Sequence, residues 1–205
     1  MSTAPPSIPT ILPPFFGDGD VPPRLTVAQY HQLAEDGILT DDGVELLEGL
    51  VVKKMPRNPR HVSVVYRLRQ LLEHLLPPDL LLRIQDPVTL SISEPEPDLV
   101  VVRGSRKQFE TRHPGPADVA MVIEVSETTL RLDRGTKKRL YAEAKLPIYW
   151  IVNLVDNQIE MLTEPSGPAD KPDYAKREVA DIASTLPLMV DQQQLGTVAV
   201  KDILG

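Results

Sequence analysis

Two strongly apolar segments, each bounded by a carboxylate, restrict the fold of this chain more than any other feature. Asp98 directly precedes the run Leu-Val-Val-Val at 99–102, and Glu124 directly follows the run Val-Ala-Met-Val-Ile at 119–123. Short apolar runs of this kind are typical of buried β-strands. Because an isolated carboxylate is costly in an apolar setting, each acid must be solvated, paired or bound to a metal. Two such acids predict one shared site.

Three other segments have the features of helices. A capping box at Thr26 and Gln29 predicts a short helix that ends at Gly37. A second helix is predicted over 61–76, because apolar residues recur at helical spacing along one stripe: Val62, Val65, Leu68, Leu72 and Leu75. A third helix is predicted over 132–145.

Strands account for most of the remaining ordered segments. The dipeptide Glu48-Gly49 predicts the turn of a hairpin within 44–54. Further strands are expected at 80–84, 88–92, 148–152 and 158–162. The order of these elements predicts an α/β fold with a central mixed β-sheet flanked by helices.

The distribution of proline divides the chain into two regions. Residues 1–23 contain seven of the 21 prolines, so we expect a Pro-rich N-terminal arm without a packed element. Residues 24–205 are expected to form one domain, since this length and a hydrophobic content of 41% suit a single core. Phe15 and Phe16 suggest that the arm docks, either on a partner subunit or on its own domain.

Composition restricts the cofactors and the location. The chain has no cysteine, and its four histidines lack zinc-binding spacing, so a metal would be held mainly by oxygen ligands. Mg²⁺ or Mn²⁺ fits that ligand set. The N-terminus lacks a basic segment followed by an apolar one, and the longest apolar runs are too short to cross a bilayer. We therefore expect a cytoplasmic protein without membrane contact.

The net charge of −7 is unusual for a protein that handles nucleic acid, but the positive charges are grouped. No acidic residue occurs between residues 49 and 72, and this basic strip contains Lys53, Lys54, Arg57, Arg60, Arg67 and Arg69, with His61 beside Arg60. The basic strip is a candidate phosphate-facing surface, although an ordinary solvated face explains the same charges. His61 is a candidate for phosphate contact or proton transfer, although helix capping is a simpler role.

Five short motifs follow one another along the chain: VELLEG at 44–49, PEPDLVVV at 95–102, VIEVS at 122–126, DRGTK at 133–137 with Tyr141, and YWIV at 149–152. Together they resemble a bacterial family of predicted restriction endonucleases in the PD-(D/E)XK, or restriction-endonuclease-like, superfamily. The resemblance spans residues 24–162. It implies a restriction-endonuclease-like core and a metal-dependent endonuclease that hydrolyses phosphodiester bonds in DNA, with a homodimer as the expected assembly.

The same resemblance implies roles for individual residues. Asp98 and Glu124 would hold Mg²⁺ or Mn²⁺, and Glu45 would bind a second ion or activate water. The superfamily pattern has lysine two residues after the second acid, where this chain has Ser126. Lys137 on the following helix would supply that charge and orient or polarise the attacking water.

Substrate contacts are assigned to Arg60, His61 and Tyr141. Tyr141 follows Asp133 and Lys137 at intervals of four, which places the three residues near one helical face. On periodicity alone, this pattern is more typical of an Asp133–Lys137 surface pair with Tyr141 in the core, and only the combined order of the motifs favours the site.

Structural explanations also exist for the two metal-binding acids. An aspartate after a proline, as at Asp98, is common in a turn before a strand. An acid at the end of an apolar run, as at Glu124, is equally expected if it pairs with an arginine such as Arg134. The serine at position 126 and the negative net charge favour an alternative function. In that alternative the chain is a catalytically silent module that retains the fold and binds nucleic acid or protein. A hydrolase for another phosphate compound is a third hypothesis, since nothing in the sequence encodes base recognition.

Overall fold

A mixed sheet and the helices around it make up the described part of the chain. The structure is a computed structural model that describes residues 23–39 and 43–205. Its helices are α1 (Val27–Glu35), α2 (Pro59–Leu75), α3 (Leu130–Leu132), α4 (Lys138–Glu143) and α5 (Val200–Leu204), with a 3₁₀ turn at Arg106–Phe109 and a π-helical turn at Asp133–Lys137. Its strands are β1 (Val44–Leu47), β2 (Leu50–Lys53), β3 (Leu80–Ile84), β4 (Leu99–Arg103), β5 (Val119–Ser126), β6 (Ile148–Asn153), β7 (Gln158–Pro165), β8 (Tyr174–Asp181), β9 (Thr185–Val190) and β10 (Gln193–Ala199).

Six strands form the central sheet, in the spatial order β3-β4-β5-β6-β7-β8. β5 and β6 are parallel, and the other neighbouring strands are antiparallel. The predicted hairpin is present as β1 and β2, and β9 pairs with β10 in a separate hairpin. The expected α/β fold, with a central mixed sheet flanked by helices, is confirmed.

The apolar run that follows Asp98 contributes to two hydrophobic cores, one on each face of the sheet. Leu99 and Val101 belong to the core that contains α2, whereas Val100 and Val102 belong to the core that contains α4. Successive side chains of a strand point to opposite faces. The run is apolar throughout because both faces of β4 are covered.

The predicted α1 and α2 are present, with one correction to the core stripe of α2. α2 begins at Pro59 because the Asn58 side chain caps it and accepts the His61 N–H at 2.9 Å. Val62 is 53% exposed, whereas Val64 is fully buried. At 100° per residue, Val62 lies roughly 100° from the centre of the stripe formed by the buried residues that follow it.

The strand predicted over 88–92 is wrong, because this segment has an irregular backbone. Its N–H groups bond to loop carbonyls instead of a neighbouring strand: Val88 to Pro95 and Thr89 to Pro114, both at 2.9 Å. The sequence also leaves β8, β9 and β10 unpredicted. The predicted N-terminal arm lies outside the described residues up to position 22. Within 23–39 and 43–205, the helices are too short or too polar to span a bilayer.

Candidate active site

A pocket beside β4 and β5 collects the acids and the lysine singled out by the sequence. Asp98 precedes β4 and Glu124 lies in β5, and the pairing of Leu99 with Ile123 brings the two acids side by side. Glu45 of β1, His61 of α2 and Lys137 of the π-helical turn also line this pocket. Its volume of about 90 Å³ holds several water molecules.

Glu124 is a buried acid of the pocket. Its Oε1 accepts hydrogen bonds from Lys137 Nζ at 3.0 Å and from the Tyr141 hydroxyl at 2.8 Å, while Oε2 lies 3.4 Å from the Asp98 N–H. Burial raises the pKa of Glu124 to about 8, and the positive charge of Lys137 acts in the opposite direction. Arg134, the alternative partner, binds Glu160.

Lys137 lies between two carboxyl groups. Its Nζ is 3.0 Å from Glu124 Oε1 and 3.2 Å from Glu45 Oε2, and the residue is 5% exposed. Although burial favours the neutral amine, Glu124 and Glu45 raise the pKa of Lys137 above its ordinary value. Lys137 is therefore a buried cation that pairs with Glu124 and Glu45. The alternative interpretation of the sequence, a surface pair of Lys137 with Asp133, does not describe its position.

The π-helical turn carries Lys137 into this position. The predicted helix over 132–145 is present as α3, the turn and α4 in direct succession. The turn includes Gly135 and Thr136, which have low helix propensity, and π-helical turns are frequent at functional sites. Tyr141 lies in α4 and is fully buried, with its ring edge-on to Tyr149 at a centroid distance of 4.9 Å. The structure therefore places Tyr141 behind Glu124, in the core, rather than on a surface open to a substrate.

Asp98 is held by donors on three sides. Its Oδ2 accepts the Val125 N–H at 2.9 Å and lies 3.0 Å from His61 Nε2, and its Oδ1 lies 3.4 Å from Gln85 Nε2. Burial acts to raise the pKa of Asp98, but His61, the Val125 N–H and the charge of Lys137 together lower it below its ordinary value. His61 thus lies within the site, as its assignment to substrate contact requires.

Glu45 reaches the pocket from the hairpin. Its Oε2 accepts the Glu96 N–H at 3.0 Å, and the residue is 3% exposed. A bridge between Leu46 and Glu94 attaches β1 to the segment that leads into Asp98. The structure therefore brings together all four residues assigned to catalysis: Glu45, Asp98, Glu124 and Lys137.

Asp133 is a pocket residue that the sequence interpretation did not assign. Its Oδ2 accepts a hydrogen bond from Ser126 Oγ at 2.7 Å, and Oδ1 has no hydrogen-bond partner within 23–39 and 43–205. Burial raises the pKa of Asp133. Ser126, at the position of the superfamily lysine, thus contacts an acid one turn before Lys137. The four-residue interval between Asp133 and Lys137 is the sequence feature that could have indicated Asp133 as a residue of the same pocket.

The basic strip is divided by the fold. Lys53, Lys54 and Arg57 line the pocket, and Arg57 also contacts Gln85. The guanidinium of Arg60 instead binds Leu154 O at 2.7 Å and Asn157 Oδ1 at 2.5 Å. Arg67 binds the carbonyl groups of Ile203 and Leu204, and Arg69 pairs with Glu73. Of these six basic residues, only Lys53, Lys54 and Arg57 therefore line the pocket.

A divalent cation fits the donor set of the pocket. Asp98 and Glu124 offer carboxylate oxygens from adjacent strands, and Mg²⁺ usually takes one or two protein carboxylates and keeps several waters. Six carboxyl groups line the pocket, together with five basic side chains. The acids are Glu45, Glu96, Asp98, Glu124, Glu127 and Asp133, and the basic residues are Lys53, Lys54, Arg57, His61 and Lys137. In the described ranges, no group of three or more His, Cys, Asp or Glu side chains forms a ready metal site. Water would have to complete the coordination.

Comparisons with known proteins agree with this geometry. A model of the Uma2 family, described as "Putative restriction endonuclease", matches residues 27–198. A crystal structure titled as a "putative nuclease belonging to DUF820" from Anabaena variabilis is similar in fold, with a TM-score of 0.63 and 14% sequence identity. The similarity covers 88% of this chain and 97% of that chain. The search of curated proteins found no match.

Proposed function

This chain belongs to the Uma2 family of restriction-endonuclease-like proteins, and from this we propose that it is a nuclease that hydrolyses phosphodiester bonds in DNA with Mg²⁺ or Mn²⁺. The observation that carries the proposal is the convergence of Glu45, Asp98, Glu124 and Lys137 in one pocket. These residues come from separate elements and form the group of acids and a cation that metal-assisted phosphodiester hydrolysis requires.

Asp98 and Glu124 would hold the metal ion. When bound, the ion neutralises charge on the phosphate oxygens and lowers the pKa of a water molecule. The Val125 N–H fixes the orientation of Asp98, and the Tyr141 hydroxyl fixes that of Glu124. This orientation by neighbouring groups is typical of the residues around metal-binding carboxylates.

Lys137 and Glu45 would act on water and phosphate. The Lys137 ammonium can donate a hydrogen bond to the attacking water or to a phosphate oxygen, and its charge stabilises an anionic transition state. Glu45, 3.2 Å from the ammonium, is placed to accept a hydrogen bond from water. Lys53 and Arg57 at the pocket would hold neighbouring phosphates.

The test is cleavage of supercoiled plasmid and of defined single- and double-stranded DNA with Mg²⁺, Mn²⁺ or chelator. We expect metal-dependent cleavage that is lost in Asp98→Asn and Glu124→Gln and reduced in Lys137→Met. Arg69→Met, which removes an exposed cation paired with Glu73, is the control and should cleave at the wild-type rate. Cleavage by the two acid variants at the wild-type rate would contradict the assignment of the site.

A second candidate function is a catalytically silent module that binds nucleic acid or protein. The observation that favours it is the pairing of Lys137 with both Glu45 and Glu124, which compensates the two acids without a metal. Binding of fluorescent DNA without cleavage under every metal tested would support this alternative.

The proposal also includes DNA as the partner, a homodimer as the assembly and the cytoplasm as the location. Phe15 and Phe16, which are expected to dock on a partner subunit or on their own domain, lie outside the described residues. Light scattering of the full chain, with and without DNA, measures the assembly directly.

A further inference from the structure

Arg134 lies on the same π-helical turn as Lys137 and binds a second buried acid. Its Nε and Nη2 donate to Glu160 Oε1 at 2.9 and 2.5 Å. Glu160 belongs to β7 and is 1% exposed. Because Glu124 pairs with Ile151 and Ile151 pairs with Glu160, the two acids lie in one row on the same face of the sheet.

The π-helical turn therefore lies across the sheet, and two of its basic side chains each bind a buried acid. Lys137 binds Glu124 of β5, and Arg134 binds Glu160 of β7, one strand beyond β6. The two acid-bearing strands are about 10 Å apart, twice the usual strand spacing. Arg134 donates two N–H groups of a planar guanidinium to one carboxylate oxygen, whereas Lys137 uses an ammonium on a flexible chain. The contact of Arg134 therefore restricts the position of the turn more than the contact of Lys137 does.

We propose that Arg134 is a positioning residue. By binding Glu160, it fixes the π-helical turn over β5 to β7, so that the Lys137 ammonium lies between Glu45 and Glu124. The consequence for catalysis rests on the nuclease function proposed above, whereas the positioning itself is a property of the fold.

Other contacts hold the beginning of the turn, which limits the effect of losing Arg134. Ser126 Oγ donates to Asp133 at 2.7 Å, and the Tyr149 hydroxyl donates to the Asp133 carbonyl at 3.2 Å. Without Arg134, the helix should therefore remain on the sheet, while the position of Lys137 becomes less restricted.

Arg177 on β8 provides a matched control. Its Nε and Nη2 donate to the other oxygen of Glu160 at 3.1 and 2.9 Å. Loss of either arginine leaves Glu160 with the other one and with Asn153 Nδ2 at 3.1 Å, so neither variant buries an unpaired charge. Arg134 lies on the π-helical turn and Arg177 does not. Arg134 also contacts Asp156, an exposed acid, at 3.4 Å.

Chemical labelling of lysine measures the position of Lys137 without any need for activity. Full-length wild type, Arg134→Met, Arg177→Met and Arg134→Lys are treated with limiting acetylating reagent, and mass spectrometry gives the labelling of Lys137 relative to the exposed Lys201. We expect a rise of about fivefold in Arg134→Met, less than about twofold in Arg177→Met and an intermediate value in Arg134→Lys. Wild-type protection in Arg134→Met, or equal loss of protection in Arg134→Met and Arg177→Met, would overturn the proposal.

DNA cleavage by the same variants separates this inference from the proposed function. We expect kcat to fall about tenfold in Arg134→Met, with KM within about twofold of wild type, and Arg177→Met to behave as wild type. If wild type cleaves no DNA but the labelling pattern appears, the nuclease function is wrong and the positioning stands. If wild type and Arg134→Met cleave DNA at the same rate, the catalytic consequence of the positioning is wrong and the nuclease function stands.

Discussion

Replacement of Lys137 by methionine should destabilise the protein in a strongly pH-dependent manner. The substitution keeps the aliphatic part of the side chain and removes the charge that lies 3.0 Å from Glu124 and 3.2 Å from Glu45. At these distances each ion pair corresponds to about 5 kcal/mol of Coulomb energy at an effective dielectric constant of about 20, before desolvation is subtracted. Removal of one partner from a buried pair typically costs about 3–5 kcal/mol, which is the loss expected at pH 9.

The pH dependence follows from the protonation of Glu124. Burial already raises the pKa of Glu124 to about 8, above its ordinary value of 4.5, and loss of the neighbouring cation raises it further. A carboxyl group with a raised pKa in the folded state favours folding when protonated, and this stabilisation is lost as the pH rises through that pKa. At pH 5 the carboxyl group is neutral and needs no cation. We therefore expect the cost of Lys137→Met to fall to about 1 kcal/mol, the scale of an altered packing contact.

Urea unfolding at pH 5 and pH 9 measures this difference, with the fluorescence of Trp150 as the probe, since it is the only tryptophan and is 3% exposed. Lys138→Met is the control because Lys138 pairs with Asp173 at the surface, where an ion pair contributes about 1 kcal/mol or less. In a double-mutant cycle, Glu124→Gln should recover part of the stability lost in Lys137→Met at pH 9. An equal cost of Lys137→Met at the two pH values would refute the reasoning.

Three further predictions follow from the same structure. Because Glu124 must ionise to bind a metal, calorimetry should show that Mn²⁺ binding releases protons and that the affinity for Mn²⁺ rises with pH up to about 8. Glu124→Gln should abolish this pH dependence of the affinity. Burial opposes ionisation of Glu160, but Arg134 and Arg177 lower its pKa below 4.5. By urea unfolding, Glu160→Gln should therefore be less stable than wild type at pH 7, and the difference in stability should disappear as the pH falls through this lowered pKa. Gly49 and Gly37 both have a positive φ, but a Cβ at Gly49 would lie 2.9 Å from Leu25 O, whereas the surroundings of Gly37 are open. Thermal unfolding should therefore show a larger loss in Gly49→Ala, about 2 kcal/mol, than in Gly37→Ala, about 1 kcal/mol.

The elements that carry the candidate site were predictable because their signals are local. β4 is apolar over residues 99–102 and β5 over residues 119–123, and the Thr26 side chain caps α1 together with Gln29, three residues away. Segment 88–92 shows where the same reasoning fails, since its backbone bonds go to residues such as Pro114 that local composition does not indicate.

The assignment of partners within the site could not be predicted in the same way. The sequence is compatible with Glu124 paired to Arg134, and the fold pairs Arg134 with Glu160 and Glu124 with Lys137. Arg60 was selected because it lies in the basic strip, yet its guanidinium binds the Leu154 carbonyl. Each pairing depends on how distant elements are placed, and residue type alone leaves several partners possible.

The α/β class, the two strands beside Asp98 and Glu124, and the presence of a lysine on the following helix can all be predicted from the sequence. This is possible because hydrophobic periodicity and capping are properties of short segments. Only the tertiary structure decided that Lys137 lies between Glu124 and Glu45, and that Arg134 of the same turn binds Glu160. These contacts depend on the strand register and on the π-helical turn, which set distances between residues far apart in the chain.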